Sequence, residues 1–205
     1  MKFLAIDTSG AHLTVIAVNG DKISYEFQKD CGVKHSVSLM PAVERAVKES
    51  GLNLKEADFI AAAVGAGSFT GIRIGVSTAK ALAFAFGVKC LAITSFDTVA
   101  YNINGCEEKK LLVARDAGHN GYYVCGYDKL KVVFPPKYLL KEELCELCRE
   151  YTLCAGEPLA GFAAELADIG KGLLAAAEKK AEEASFDYNL LSPLYVRKSQ
   201  AEEGR

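Results

Sequence analysis

Gly65-Ala-Gly-Ser-Phe-Thr-Gly-Ile-Arg-Ile-Gly75 follows the continuous apolar run at residues 58–64 and leads into a second apolar stretch that ends at Phe86. A short apolar run bounded by turn residues reads as a strand buried on both faces. The stretch from about Thr70 to Phe86 is long enough for a helix, with Thr70 as its N-cap and Gly87 as its stop. A glycine-rich turn between a buried strand and a helix places the order β-loop-α at the centre of the first half. Such a turn offers backbone N–H groups and a favourable dipole to an anion. It lacks the Gly-Lys-Ser/Thr of a P-loop, and its third glycine falls one place late for the dinucleotide fingerprint. The structural alternative is a tight loop whose glycines let backbones pack closely.

Working outward, residues 3–8, 12–18 and 22–28 read as three strands, the last two joined at Asn19-Gly20-Asp21 as a hairpin. Residues 36–50 read as a helix with Leu39, Val43, Ala46 and Val47 on one face, Pro41 in its first turn and Gly51 as its stop. Residues 88–94 form another strand, and 96–104 a short helix. The second half repeats the opening: strands at 111–116, 121–127 and 130–134, a connector at Pro135-Pro136, a helix at 141–150 and a strand at 151–155. Ala-rich helices follow over 163–184, interrupted near Gly170 and Gly172. Two successive β-β-β-α-β-α units, each first strand ending in Asp, predict an α/β actin-like (ribonuclease H-like) fold with subdomains 1–105 and 106–205.

The 205 residues are half hydrophobic and carry a net charge of −2. No basic cluster is present of the kind that holds nucleic acid unaided. The opening apolar run is cut short by Asp7, which argues against a signal peptide, and no run is long enough to span a membrane. Seven cysteines without an export signal point to free thiols in a reducing cytoplasm. Cys145 and Cys148 form a CxxC on a predicted helix face and read as buried thiols, since zinc would need two further ligands. His12, His35 and His119 form no metal-binding pair. The tail 201–205 is expected to be disordered.

Asp7-Thr8-Ser9-Gly10 ends the first strand, where a carboxylate and hydroxyls suit a magnesium–phosphate turn. The alternative is an ordinary strand-to-hairpin turn. Asp7, Thr8, Ser9, Gly65, Gly67, Ser68, Arg73 and Asp116 are the candidate nucleotide or phosphate contacts, vestigial if catalysis has been lost. In the glycine-motif helix the polar residues Arg73, Ser77 and Lys80 share a stripe, and the remainder is nearly all apolar, which predicts burial on more than one side. Leu39, Val43 and Val47 of the earlier helix, with Ile72, Val76, Ala79, Ala83 and Phe86, are the candidate partner interface. The alternative is that the two helices cover one another within the chain.

Leu4-Ala-Ile-Asp-Thr-Ser9, His35-Ser36 before a Leu-x-Pro helix, the Gly65–Gly75 motif and Pro193-Leu-Tyr-Val-Arg197 together resemble the TsaB family. Two positions depart from its pattern. Ala66 replaces the usual proline, which should loosen the loop slightly. Gly118 stands where an arginine is expected, so an anion contact there is in doubt. The resemblance implies a non-catalytic subunit of the machinery that installs threonylcarbamoyl on N6 of adenosine 37 in tRNAs reading codons that begin with A. It implies pairing with the catalytic relative TsaD through helices of the first half, association with the ATPase TsaE, homodimers when alone, and contact with tRNA only through the complex. No tightly held cofactor and no metal are expected; the place left for ATP or ADP with magnesium is the junction with TsaD. The rival functions are a stand-alone metallopeptidase, from an old glycoprotease label, and an actin-like nucleotide-dependent kinase.

Overall fold

The computed structural model describes residues 1–197. The tail 201–205 lies outside them. The chain forms two compact units: Met1–Ser95 with Ala176–Leu194, and Phe96–Ala175 with residues 195–197.

In the first unit, β1 (Lys2–Asp7), β2 (Leu13–Asn19) and β3 (Lys22–Gln28) form the expected antiparallel meander. Helix α1 (His35–Ser50) follows, then β4 (Phe59–Gly65), α2 (Phe69–Phe86) and β5 (Lys89–Thr94). The sheet order is β3-β2-β1-β4-β5, with β1, β4 and β5 parallel. Strand β4 is buried at every position, as its unbroken apolar sequence requires. Alternation sorts β1: Leu4 and Ile6 join the core under the helices, while Phe3 lies on the opposite face and stacks on Phe59 at 4.9 Å. Gly51 ends α1 and Gly87 ends α2, both left-handed and both donating a backbone N–H into the last turn. Pro41 lies in the second turn of α1 rather than the first; the Val37 carbonyl it leaves unbonded is on the exposed side.

The second unit repeats the meander with β6 (Lys110–Gly118), β7 (Gly121–Asp128) and β8 (Lys131–Leu140), then α4 (Lys141–Leu147), β9 (Thr152–Ala155) and β10 (Glu165–Leu166). The short helix α3 (Asp97–Ala100) precedes these strands, and α5 (Ile169–Lys179) follows them. Its sheet order, β10-β9-β6-β7-β8, matches the first when each strand is set against its counterpart. That repeated mixed sheet is the actin-like fold. The second copy is reduced: where α2 joins β4 to β5, residues 156–164 join β9 to β10 without a helix.

Several expectations need correction. The boundary is not at residue 105, because the segment after α5 returns to the first unit. There Cys90 and Ser185 exchange backbone hydrogen bonds at 2.8 and 3.0 Å, and Leu191 enters the core. Pro135-Pro136 is not a connector but part of β8, where an edge position and register irregularities tolerate missing N–H donors. Gly170 and Gly172 do not interrupt a helix; both lie in α5, and a methyl group at Gly172 would overlap the Thr98 carbonyl oxygen.

The candidate partner positions Leu39, Val43, Ile72, Val76, Ala79 and Ala83 are buried in the first unit's own core, and Val47 and Phe86 pack against it. Helices α1 and α2 do cover one another and the sheet, so this apolar face is internal. Ala83→Arg should therefore unfold the first unit rather than probe a surface. Denaturant titration is expected to show a loss of more than about 4 kcal/mol, since a charge would replace a methyl with no water beside it.

Candidate functional site

The end of β1, the glycine motif and the first turns of α2 meet in one junction. Asp7, Thr8 and Ser9 are all buried. Oδ1 of Asp7 accepts a hydrogen bond from the Ser9 N–H at 2.7 Å, which folds the turn back on itself. Thr8 Oγ1 donates to the Gly71 carbonyl at 2.7 Å. The Ser9 carbonyl accepts from the Ser68 N–H at 2.7 Å, and the Ser9 and Ser95 hydroxyls bond at 2.9 Å. The β1 turn is thus stitched to the loop after β4 and to the end of β5.

The glycines follow from this closeness. Gly65 and Gly67 have φ of 119° and 156°, which disfavour any side chain, and the Gly65–Ala66 peptide is cis. A methyl group at Gly71 would overlap the backbone carbonyl oxygen of Thr8, and one at Gly75 would overlap Thr8 Oγ1. These two glycines let α2 lie directly on the end of β1. The element they admit is the end of a strand. The helix cap is Ser68, not Thr70: its Oγ accepts from the Gly71 N–H at 3.2 Å.

A feature missed from spacing alone is the segment after Pro193. Leu194 donates its N–H to the Val64 carbonyl at 2.7 Å, and its own carbonyl oxygen would lie 2.8 Å from a methyl at Gly65. Two of the sequence signatures therefore touch. Their separation by more than a hundred residues hid the contact.

The junction brings together Asp7, Thr8, Ser9, Gly65, Gly67 and Ser68. Its hydroxyls and several of its amides are already bonded within the chain. Arg73 lies on the exposed side of α2, its guanidinium 3.7 Å from the centre of the Phe69 ring. Asp116 belongs to the second unit and does not end its strand. Strand β6 runs on to Gly118, which pairs with Gly121 across a two-residue turn with positive φ at His119 and Asn120. Gly118 itself has φ of 74° there, and Asp116 Oδ1 accepts from its N–H at 2.7 Å. The second unit thus closes with a tight hairpin where the first has the longer turn 8–12.

His35 is buried at the start of α1, with Nε2 3.2 Å from the His12 carbonyl oxygen. Among the described residues no group of three or more His, Cys, Asp or Glu is placed to hold a metal ion. All seven cysteines are free thiols. The expectation that Cys145 and Cys148 are both buried fails: Cys145 is exposed, and Cys148 is half-buried at the helix end. Burial pushes the Cys148 thiol up, and burial together with Glu165 pushes Cys154 up to about 12. No helix among the described residues is long and apolar enough to cross a membrane.

The duplicated mixed sheets and the junction of β1 with α2 define an actin-like protein. The family model TsaD, described as tRNA N6-adenosine threonylcarbamoyltransferase, matches residues 28–137. The TsaB protein of Bacillus subtilis, a "tRNA threonylcarbamoyladenosine biosynthesis protein", is 30% identical over 73% of this chain and 67% of its own length. Its Escherichia coli namesake is 30% identical over 63% of this chain and 56% of its own length. The alignments thus cover about half to two thirds of these relatives. A solved Pseudomonas aeruginosa protein "with similarity to peptidase YEAZ" superposes with a TM-score of 0.80 at 21% identity, covering 96% of this chain and 99% of that one. The chain belongs to the TsaB family.

Two outcomes test this site. Gly75→Ala should cost about 1–3 kcal/mol in urea denaturation, and much of that should be recovered in the Thr8→Ala background, which removes the overlapping hydroxyl. Gly71→Ala meets backbone instead, so the same background should not rescue it. In thiol labelling of the native chain, Cys145 should react first and Cys154 only on unfolding; rapid labelling of Cys154 would contradict the packing of β9.

Proposed function

We propose that this chain is a non-catalytic partner subunit in threonylcarbamoyladenosine formation on tRNA, pairing with a TsaD-type transferase through the outward faces of α1 and α2. Family membership supports a role in this tRNA modification. The observation that carries the partner role is the outer face of α2. From Ile74 to Ala85 its exposed positions are Ser77, Ala81, Phe84 and Ala85, none charged, and Phe84 is 73% exposed. A long helix face with small residues, an exposed aromatic ring and little charge suits burial against another helix. On α1, Val37 and Met40 are exposed beside buried neighbours. The interface residues proposed are thus Val37, Met40, Ser77, Ala81 and Phe84, in place of the buried set.

Two further observations support a role without its own chemistry. The polar groups of the β1 turn bond to the chain itself, and no basic cluster is available to hold tRNA unaided. On this reading tRNA, a TsaE-type ATPase and any ATP or ADP with magnesium meet the assembled complex, and the subunit works in the cytoplasm.

Ser77→Arg and Ala81→Arg should each weaken co-purification with the cell's TsaD-type protein by at least about tenfold, with circular dichroism unchanged. Full retention of the partner by both folded variants would overturn the interface.

A further inference from the structure

The seven thiols fall into two groups. Cys31, Cys90, Cys106, Cys125 and Cys154 are buried. Cys145 is exposed and Cys148 half-buried, and these two stand three residues apart at the end of α4. The five buried thiols are closed to a solute, so the chemistry open to this chain's cysteines falls on the α4 pair.

The backbone brings the pair together. The Cys148 N–H donates to the Leu144 carbonyl at 3.1 Å, so helical geometry runs through both cysteines. Three residues of α-helix rise about 4.5 Å and turn about five-sixths of a circle, which sets the two Cα atoms about 5 Å apart. A disulfide needs roughly 4.4–6.8 Å. The Arg149 N–H then bonds the Glu146 carbonyl at 3.2 Å, and the Glu150 N–H the Leu147 carbonyl at 3.0 Å. Such bonds tighten the last turn toward the 3-10 form, in which side chains at i and i+3 eclipse. Helical Cβ bonds tilt toward the N-terminus, so the Cys148 side chain leans back over the turn that holds Cys145. Leu144, fully buried, anchors the other side of the helix. Cys148 is the C-cap, so the last approach of the two sulfurs is taken up at the helix end and leaves the rest of α4 in place.

We infer that Cys145 and Cys148 are a reversible thiol–disulfide pair, oxidised by exchange with a low-molecular-weight disulfide such as oxidised glutathione. Exposed Cys145 attacks first. Its thiolate bonds to one sulfur of the small disulfide, expels one glutathione thiolate and leaves a mixed disulfide. Cys148 gives its proton to water and attacks the Cys145 sulfur, and the second glutathione thiolate leaves. Two protein thiols are oxidised, one disulfide is reduced to two thiols, and no other oxidant is needed. Burial, with Cys145 close by, pushes the Cys148 thiol up. Its smaller thiolate fraction is offset by adjacency in the closing step. In the reverse step an incoming thiol must expel Cys148 from Cys145, and a thiol of raised pKa leaves slowly. The internal bond thus shelters the exposed sulfur from irreversible oxidation in a form that excess thiol can undo.

The test is incubation of the full native chain with oxidised glutathione, blocking of free thiols with a maleimide, and intact mass with peptide mapping. Wild type should lose two hydrogens, retain no glutathione, and map one bond between Cys145 and Cys148 that dithiothreitol reverses. Cys148→Ser has no resolving thiol and should hold glutathione on Cys145 at least about tenfold longer than wild type. Cys145→Ser should take up glutathione at least about tenfold more slowly, because half-buried Cys148 is a poor first target. The wild-type map decides the pairing without either variant. Glutathione that stays on Cys145 beside a maleimide-labelled Cys148 would overturn the proposal. So would a bond from either cysteine to Cys154, or a Cys145 that remains a free thiol throughout.

Discussion

The first two turns of α2 rest on the end of β1 with no side chain between them. Gly71 and Gly75 make that approach possible, and Thr8 fills the space their missing methyl groups leave. Much of the first unit is placed by this contact. It brings Ile72, Val76, Ala79 and Ala83 down onto β1 and β4. It also seats the Gly65 carbonyl to accept from the Ser95 N–H at 2.6 Å, closing the loop against the end of β5. In a close-packed interior such a contact has little tolerance for added volume.

The same closeness shapes function. An anion site at a helix N-terminus needs amides and hydroxyls that face outward and lack partners. Here Ser68 caps its own helix, and Asp7, Thr8 and Ser9 bond within the junction. The loop serves as the footing of a helix. The helix rests on that footing and turns Arg73, Ser77, Ala81 and Phe84 to solvent.

Much of this was legible from residues alone. Strand β4, the β2–β3 hairpin, the duplicated order and the glycine caps of α1 and α2 follow from apolar periodicity and turn chemistry, which are local. What could not be read depended on contacts between distant segments. Leu39, Val43, Ile72 and Ala79 look identical whether a helix is covered by its own sheet or by another subunit. The glycines read equally well as phosphate loop or packing site until Thr8 was seen against them. The return of residues 176–194 to the first unit rests on pairing at Cys90 and Val64, which carry no sequence mark. Asp116 aligned with Asp7 by duplication, yet its strand runs on into a hairpin because His119 and Asn120 accept positive φ.

On the function proposed, the Gly65–Gly75 motif is a packing junction rather than a nucleotide site of this chain. Isothermal titration calorimetry of the isolated chain with ATP and magnesium tests it most directly. The closed junction predicts no saturable heat in the micromolar range. Saturable micromolar binding that disappears in Ser68→Ala or Asp7→Asn, with the fold retained, would contradict it.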